Sequence, residues 1–158
     1  MNTSPESTKT QELTFINSDF SSVLSIACIP GIKAGFPSPA ADYENDSIDF
    51  NHDLISHPES TFYAVVRGDS MSGSGIDEGD IVVVDRDLDA ENGDVVVALL
   101  NGEFTIKALD RKEIDEGYIE LVPTNPAYSR IRVEPTDQFM IWGVVIWTIR
   151  NRKNIKLP

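Results

Sequence analysis

Valine-rich runs punctuated by glycine and aspartate organise the second half of this chain. Thr61–Arg67, Ile81–Asp85 and Val95–Leu100 each read as a strand bounded by Gly or Asp, the composition and punctuation expected of β-structure. Asn101-Gly102 joins Val95–Leu100 to Glu103–Leu109. Asn-Gly between two apolar runs predicts a tight hairpin, because both turn residues need positive φ. Tyr118–Val122, Ile131–Val133 and Phe139–Ile149 continue the series. Upstream, Phe50, Leu54 and Ile55 recur at helical spacing, Asp46, Ser47 or Asp49 can cap, and Pro58 follows; this predicts a short helix within Ser47–His57. Phe36–Ala41 carries two prolines and reads as extended. Residues 1–34 hold few core-forming patterns, and Ile29-Pro30-Gly31-Ile32 breaks any helix there. The pattern therefore predicts a mostly-β domain, barrel or sandwich, behind a flexible N-terminal arm.

Composition narrows the setting. The chain has 158 residues, 41% of them hydrophobic, enough for one domain with a core and a tail. A net charge of −13 argues against direct nucleic-acid binding, which draws its affinity from Lys and Arg on phosphate. A protein partner with a basic face fits better. Cys28 is the one cysteine, so no internal disulfide forms, as in a reducing cytosol. Met1–Gln11 is Ser/Thr-rich without the basic and apolar regions of a leader. Leu13–Ile32 is interrupted by Asn17, Asp19 and serines, and Phe139–Ile149 is too short to span a bilayer. The expectation is a cytoplasmic chain without a membrane segment.

Two residues stand out chemically. Ser70 lies in Gly68-Asp69-Ser70-Met71, directly after an apolar run, and Lys107 interrupts the strand Glu103–Leu109. A serine hydroxyl needs a base to become a nucleophile. A lysine can be that base when burial in apolar surroundings lowers its pKa. Along the strand Phe104, Ile106 and Ala108 share one face and Glu103, Thr105 and Lys107 the other, so Lys107 needs cover from elsewhere to be dry. Backbone N–H groups at Asp69 and Ser70 are the candidate oxyanion hole. Other chemistries fit less well. A Ser-His-Asp triad has only His52 and His57 to draw on, both in the region of the short helix. Asp85, Asp87 and Asp89 start like a calcium loop, but Ala90 and Val96 occupy positions that need Gly and Glu; no metal or other cofactor is expected. Gly73-Ser74-Gly75 lacks the context of a phosphate loop. Met71 reads as a packed thioether beside the nucleophile, and Trp142 and Trp147 as core or interface residues.

Gly68-Asp69-Ser70-Met71, Gly79–Asp85, Asn92–Ala98 and Gly102–Lys107 together resemble the self-cleaving serine–lysine peptidases of the SOS response, the LexA/UmuD family. Gly35–Tyr43, Pro123–Ser129 and Phe139–Ile146 are similar to its UmuD branch, the accessory subunits of error-prone DNA polymerases. The likeness runs from about Ala34 to Arg150. It implies a compact, twisted β fold that dimerises, with Ser70 as nucleophile, Lys107 as general base and Ala34-Gly35 as the bond cut. Ala34 departs from the branch, where cysteine is frequent, and is LexA-like. The implied organisation is an arm, 1–34, removed by self-cleavage, and a β peptidase domain, 35–158. In that domain 35–60 is an extended linker with a short helix and 61–150 is the core. The implied partners are a second copy, a RecA filament on single-stranded DNA and a UmuC-type Y-family polymerase, in SOS mutagenesis and translesion DNA repair. The alternatives are a catalytically idle binding module or a LexA- or phage-type repressor, for which 34 acidic-leaning residues are too few to hold a DNA-binding domain. A signal peptidase also pairs serine with lysine but needs a membrane anchor.

Overall fold

The computed structural model of the protein describes residues 14–16, 25–27 and 47–153. It divides into two compact units, one of residues 18–59 and one of residues 1–17 with 60–158.

In the smaller unit β2 (Ser25–Ala27) pairs antiparallel with β3 (Ser47–Asp49), Ile26 opposite Ile48. A single helical turn, α1 (Phe50–Asp53), follows. Asp49 is its cap: the carboxylate accepts the N–H of Asn51 at 3.0 Å, satisfying one of the orphan donors of the first turn. The predicted short helix is present, shorter than its window because Ser47–Asp49 is drawn into β-pairing.

The larger unit is one antiparallel sheet of eight strands. These are β1 (Thr14–Ile16), β4 (Thr61–Val65), β5 (Ile81–Asp85), β6 (Val95–Leu100), β7 (Glu103–Asp110), β8 (Ile119–Val122), β9 (Ile131–Val133) and β10 (Phe139–Ile149). Their order across the sheet is β1-β4-β5-β10-β6-β7-β8-β9. β6, β7 and β10 follow the sequence reading to within a residue. Asn101 and Gly102 take φ of 49° and 88°, the doubly positive turn that asparagine and glycine tolerate. β1 and β2 were not anticipated: each is three residues long and lies in the stretch read as a patternless arm.

β10 holds the sheet together. Its first half pairs with β6 and its second half with β5, with irregularities between Ile141 and Gly143 and between Val145 and Trp147. Such bulges bend and twist a strand. Gly143 sits at the bend because a Cβ there would lie 2.7 Å from Val84 Cγ1 and 2.9 Å from the Asp85 carbonyl oxygen. The bent sheet buries both faces. Val97 of β6 and Ile106 of β7 join Ala64, Val66, Met71, Ile76, Val82 and Val84 in one cluster. Val96, Ala98 and Leu109 join Leu121, Val133 and Val144 in the other. Two-sided burial explains why these strands read as near-continuous apolar runs rather than alternating ones. Trp142 packs on the first cluster between Phe62 and Phe104, with the Arg86 guanidinium 4.7 Å from its ring centre. Trp147 is 46% exposed and so is no core residue.

Candidate active site

β4 leads into the site. Beyond Val65, Val66 still pairs with Asp80 and Gly79 (2.8 and 2.9 Å). Gly68, at φ +82°, then turns the chain into Asp69-Ser70, a conformation L side chains resist. After Ser70 comes Met71, fully buried in the first cluster, and a 3-10 turn, Ser72–Ser74. Met71 is thus the packed thioether the sequence suggested, and it anchors the residue next to the serine.

Lys107 reaches Ser70 from β7. Its Nζ stands 2.9 Å from Ser70 Oγ, 2.9 Å from Thr105 Oγ1 and 2.9 Å from the Ile106 carbonyl oxygen. Ser70 is 1% and Lys107 5% exposed. Lys107 thus has the cover that its place on the strand demanded. Burial pushes its pKa down from the ordinary 10.5 to about 8, since an ammonium is disfavoured away from water.

A second loop clasps the serine. The Ser70 carbonyl accepts the backbone N–H groups of Thr124 and Asn125, both at 3.0 Å. The Asp69 carbonyl accepts the Ser72 N–H and the Asn125 side-chain amide, both at 3.1 Å. The Tyr128 hydroxyl donates to Asp69 Oδ1 at 2.5 Å. Gly73 makes the approach possible: a Cβ on it would stand 2.1 Å from the Thr124 carbonyl oxygen. From the other side Arg150, beyond the end of β10, bonds Asp80 and the Gly75 carbonyl and pairs with Asp77 at 2.7 Å. The guanidinium beside Asp80 holds that buried carboxyl below its ordinary pKa.

The structure therefore brings Ser70 and Lys107 together and sets the backbone of Asp69 and Ser70 beside them. Ala34 and Gly35 lie outside the described residues, as do Ile29, Ile32 and Phe36. His52 lies on α1 and bonds its neighbour Asp53 at 3.0 Å; among the described residues the partner of Ser70 Oγ is Lys107. Asp85 uses a carboxylate oxygen to accept the Asp87 N–H at 2.9 Å, as acidic turn residues do. Among the described residues no helix is long and apolar enough to cross a membrane. A groove of about 310 Å³ lined by Tyr118, Val133 and Phe139 holds neither Ser70 nor Lys107. Sequence reasoning missed the Thr105 hydroxyl, although Thr105 and Lys107 share a strand face. It also missed the roles of Asn125, Tyr128 and Arg150, whose contacts span 56, 59 and 70 positions of sequence.

Comparison with known proteins shows the family. The chain is 44% identical over 112 residues to protein SamA of Salmonella typhimurium, covering 71% of this chain and 75% of the relative. It is 38% identical over 115 residues to protein MucA of Escherichia coli (72% and 76%) and 36% over 124 residues to protein ImpA of Shigella flexneri (78% and 82%). Residues 27–146 match the model of the family described as Peptidase S24-like, and the chain belongs to that family.

Proposed function

We propose that this chain is a peptidase that cuts itself once, between Ala34 and Gly35, with Ser70 as nucleophile and Lys107 as base. The observation that carries the proposal is the surroundings of the Lys107 amine. A neutral amine has two N–H groups and one lone pair. Thr105 Oγ1 and the Ile106 carbonyl supply two acceptors at 2.9 Å. With its N–H groups directed at those acceptors, a neutral amine can turn its lone pair to the hydroxyl of Ser70, also at 2.9 Å.

Ser70 Oγ attacks the Ala34 carbonyl carbon and its proton passes to Lys107 Nζ. The carbonyl oxygen takes up negative charge in front of backbone N–H groups at Asp69 and Ser70, which are worth most at the transition state. The C–N bond breaks, and the Gly35 nitrogen leaves with the proton from Lys107. Water then attacks the ester carbon as it gives a proton to the neutral lysine; the C–O bond to Ser70 breaks, the lysine returns that proton to Ser70 Oγ, and the Ala34 carboxylic acid is released. The products are residues 1–34 and 35–158.

By its resemblance to the UmuD branch, RecA filaments on single-stranded DNA stimulate the cut. The processed chain, as a dimer, then serves a UmuC-type polymerase in error-prone synthesis past damage. The test is purified protein held across a pH series and read by intact mass. A fragment beginning at Gly35 is expected, with a rate rising through pH 8 as Lys107 loses its proton. Ser70→Ala should abolish it, and so should Lys107→Arg, because arginine stays protonated. No fragment near pH 10, with or without RecA filaments, would sink the proposal.

A further inference from the structure

We infer that Asn125 is a positioning residue of the site: its side-chain amide fixes the Asp69–Ser70 peptide plane and thereby aims the Ser70 N–H at the developing oxyanion. The inference rests on the self-cleavage proposed above and concerns a residue that bonds the carbonyls of Asp69 and Ser70.

A peptide group is planar, and in its trans form the C=O and the following N–H point to opposite sides. The chain has no cis peptide among the described residues. Fixing the Asp69 carbonyl therefore fixes the Ser70 N–H in the reverse direction. That carbonyl is held by Asn125 Nδ2 at 3.1 Å as well as by the Ser72 N–H. The next carbonyl, of Ser70, is held by the N–H groups of Thr124 and Asn125. Both peptide planes flanking the Ser70 Cα are thus pinned by one loop. With the planes fixed, φ and ψ of Ser70 are fixed, and with them the origin from which Oγ points at Lys107.

The Asn125 amide has only one workable orientation. Its Oδ1 accepts the Ala127 N–H at 3.0 Å, a turn that asparagine and aspartate favour, so Nδ2 is left to donate to Asp69. Two further contacts hold the loop in place. Tyr128 bonds the Asp69 carboxylate, and Thr124 Oγ1 accepts the Ser74 N–H at 3.0 Å. Without the Nδ2 donor the Asp69 carbonyl keeps only the local Ser72 bond, and the peptide plane is free to rock.

Two substitutions separate this role from a merely structural one. Asn125→Ala removes the donor and the turn acceptor. Asn125→Asp restores the acceptor for Ala127 N–H but sets a carboxylate oxygen against the Asp69 carbonyl. Self-cleavage is followed by mass at pH values well above the midpoint of the wild-type profile. If the amide aims the N–H, both variants lose about 10- to 100-fold in plateau rate, a share of what deleting an oxyanion donor costs. The Asn125→Ala midpoint stays within a few tenths of a pH unit of wild type, since the contacts of Lys107 are unchanged. If the turn alone matters, Asn125→Asp recovers a plateau within twofold of wild type, and the inference is overturned. Equal plateaus for wild type and Asn125→Ala overturn it as well. A wild-type chain that never cuts itself removes the proposed function first and this inference with it, so the two failures are told apart by the wild-type arm.

Discussion

Lys107 is buried in a sheet, and its amine lies within hydrogen-bond reach of the hydroxyls of Ser70 and Thr105 and of the Ile106 carbonyl. Neutral acceptors solvate an ammonium less well than water, which is why the proton leaves at about pH 8. The same shift must be visible in stability. Below about pH 8 the lysine is charged in folded and unfolded chains alike, and the folded chain bears the full penalty of burying the charge. Between about 8 and 10.5 the folded lysine has lost its proton while the unfolded one keeps it, so stability rises with pH. The expected gain is at most on the order of 3 kcal/mol. It should appear in urea unfolding of Ser70→Ala, which cannot cut itself, and vanish when Lys107→Met is added. A flat difference between the two chains across that window would mean that Lys107 is charged in the fold. Ser70 and Lys107 stood out in the sequence because the segments around them resemble one family signature; taken alone, a serine past a strand and a lysine within one are ordinary. Asn125 did not stand out, because nothing local distinguishes an asparagine that braces a distant carbonyl from one that makes a turn.

Between the nucleophile turn and the Thr124–Tyr128 loop, the decisive residue is one with no side chain. Gly73 lets the two loops touch: its missing Cβ would fall 2.1 Å from the Thr124 carbonyl oxygen. Backbone cannot give way as a flexible side chain does. Gly73→Ala should therefore push the loops apart, cost about 1–3 kcal/mol of stability in the manner of an overpacked core, and slow self-cleavage by loosening the bonds on Ser70 O. Thermal melts with the mass assay check this; an alanine chain with wild-type stability and rate would show that the contact yields freely. At this scale the sequence was legible wherever strands were long and valine-rich. The hairpin at Asn101-Gly102 followed from turn chemistry alone. β1 and β2 were not legible, since a three-residue strand is too short for period-two alternation to register; pairing partners decide them. Gly73 carried a signal, a glycine after the serine, but its meaning depends on a loop some 50 residues away.

For the molecule as a whole, the proposed cut changes charge very little. Residues 1–34 carry Lys9 and Lys33 against Glu6, Glu12 and Asp19, so −13 becomes −12. So small a change makes a poor electrostatic switch, and the expectation is that the arm acts through the space it fills. A chain starting at Gly35 should bind a UmuC-type polymerase differently from full-length Ser70→Ala, by on the order of 1 kcal/mol or more in coupling free energy. Titration of the polymerase with each decides it, and equal affinities would deny the arm a regulatory part. The proposed loss also takes β1 from the sheet. β1 lies outside β4, pairing Phe15 with Ala64 and Ile16 with Tyr63. At the opposite margin β9 is three residues long and carries Arg132, the short, charged kind of edge that resists sticking. β4 is five residues, Thr61–Val65, without a charge among them. Once uncovered, it is a margin open to uncontrolled strand pairing. The surplus of carboxylates left on the trimmed chain then takes on the work of mutual repulsion, keeping copies from zipping together at the newly bared strand.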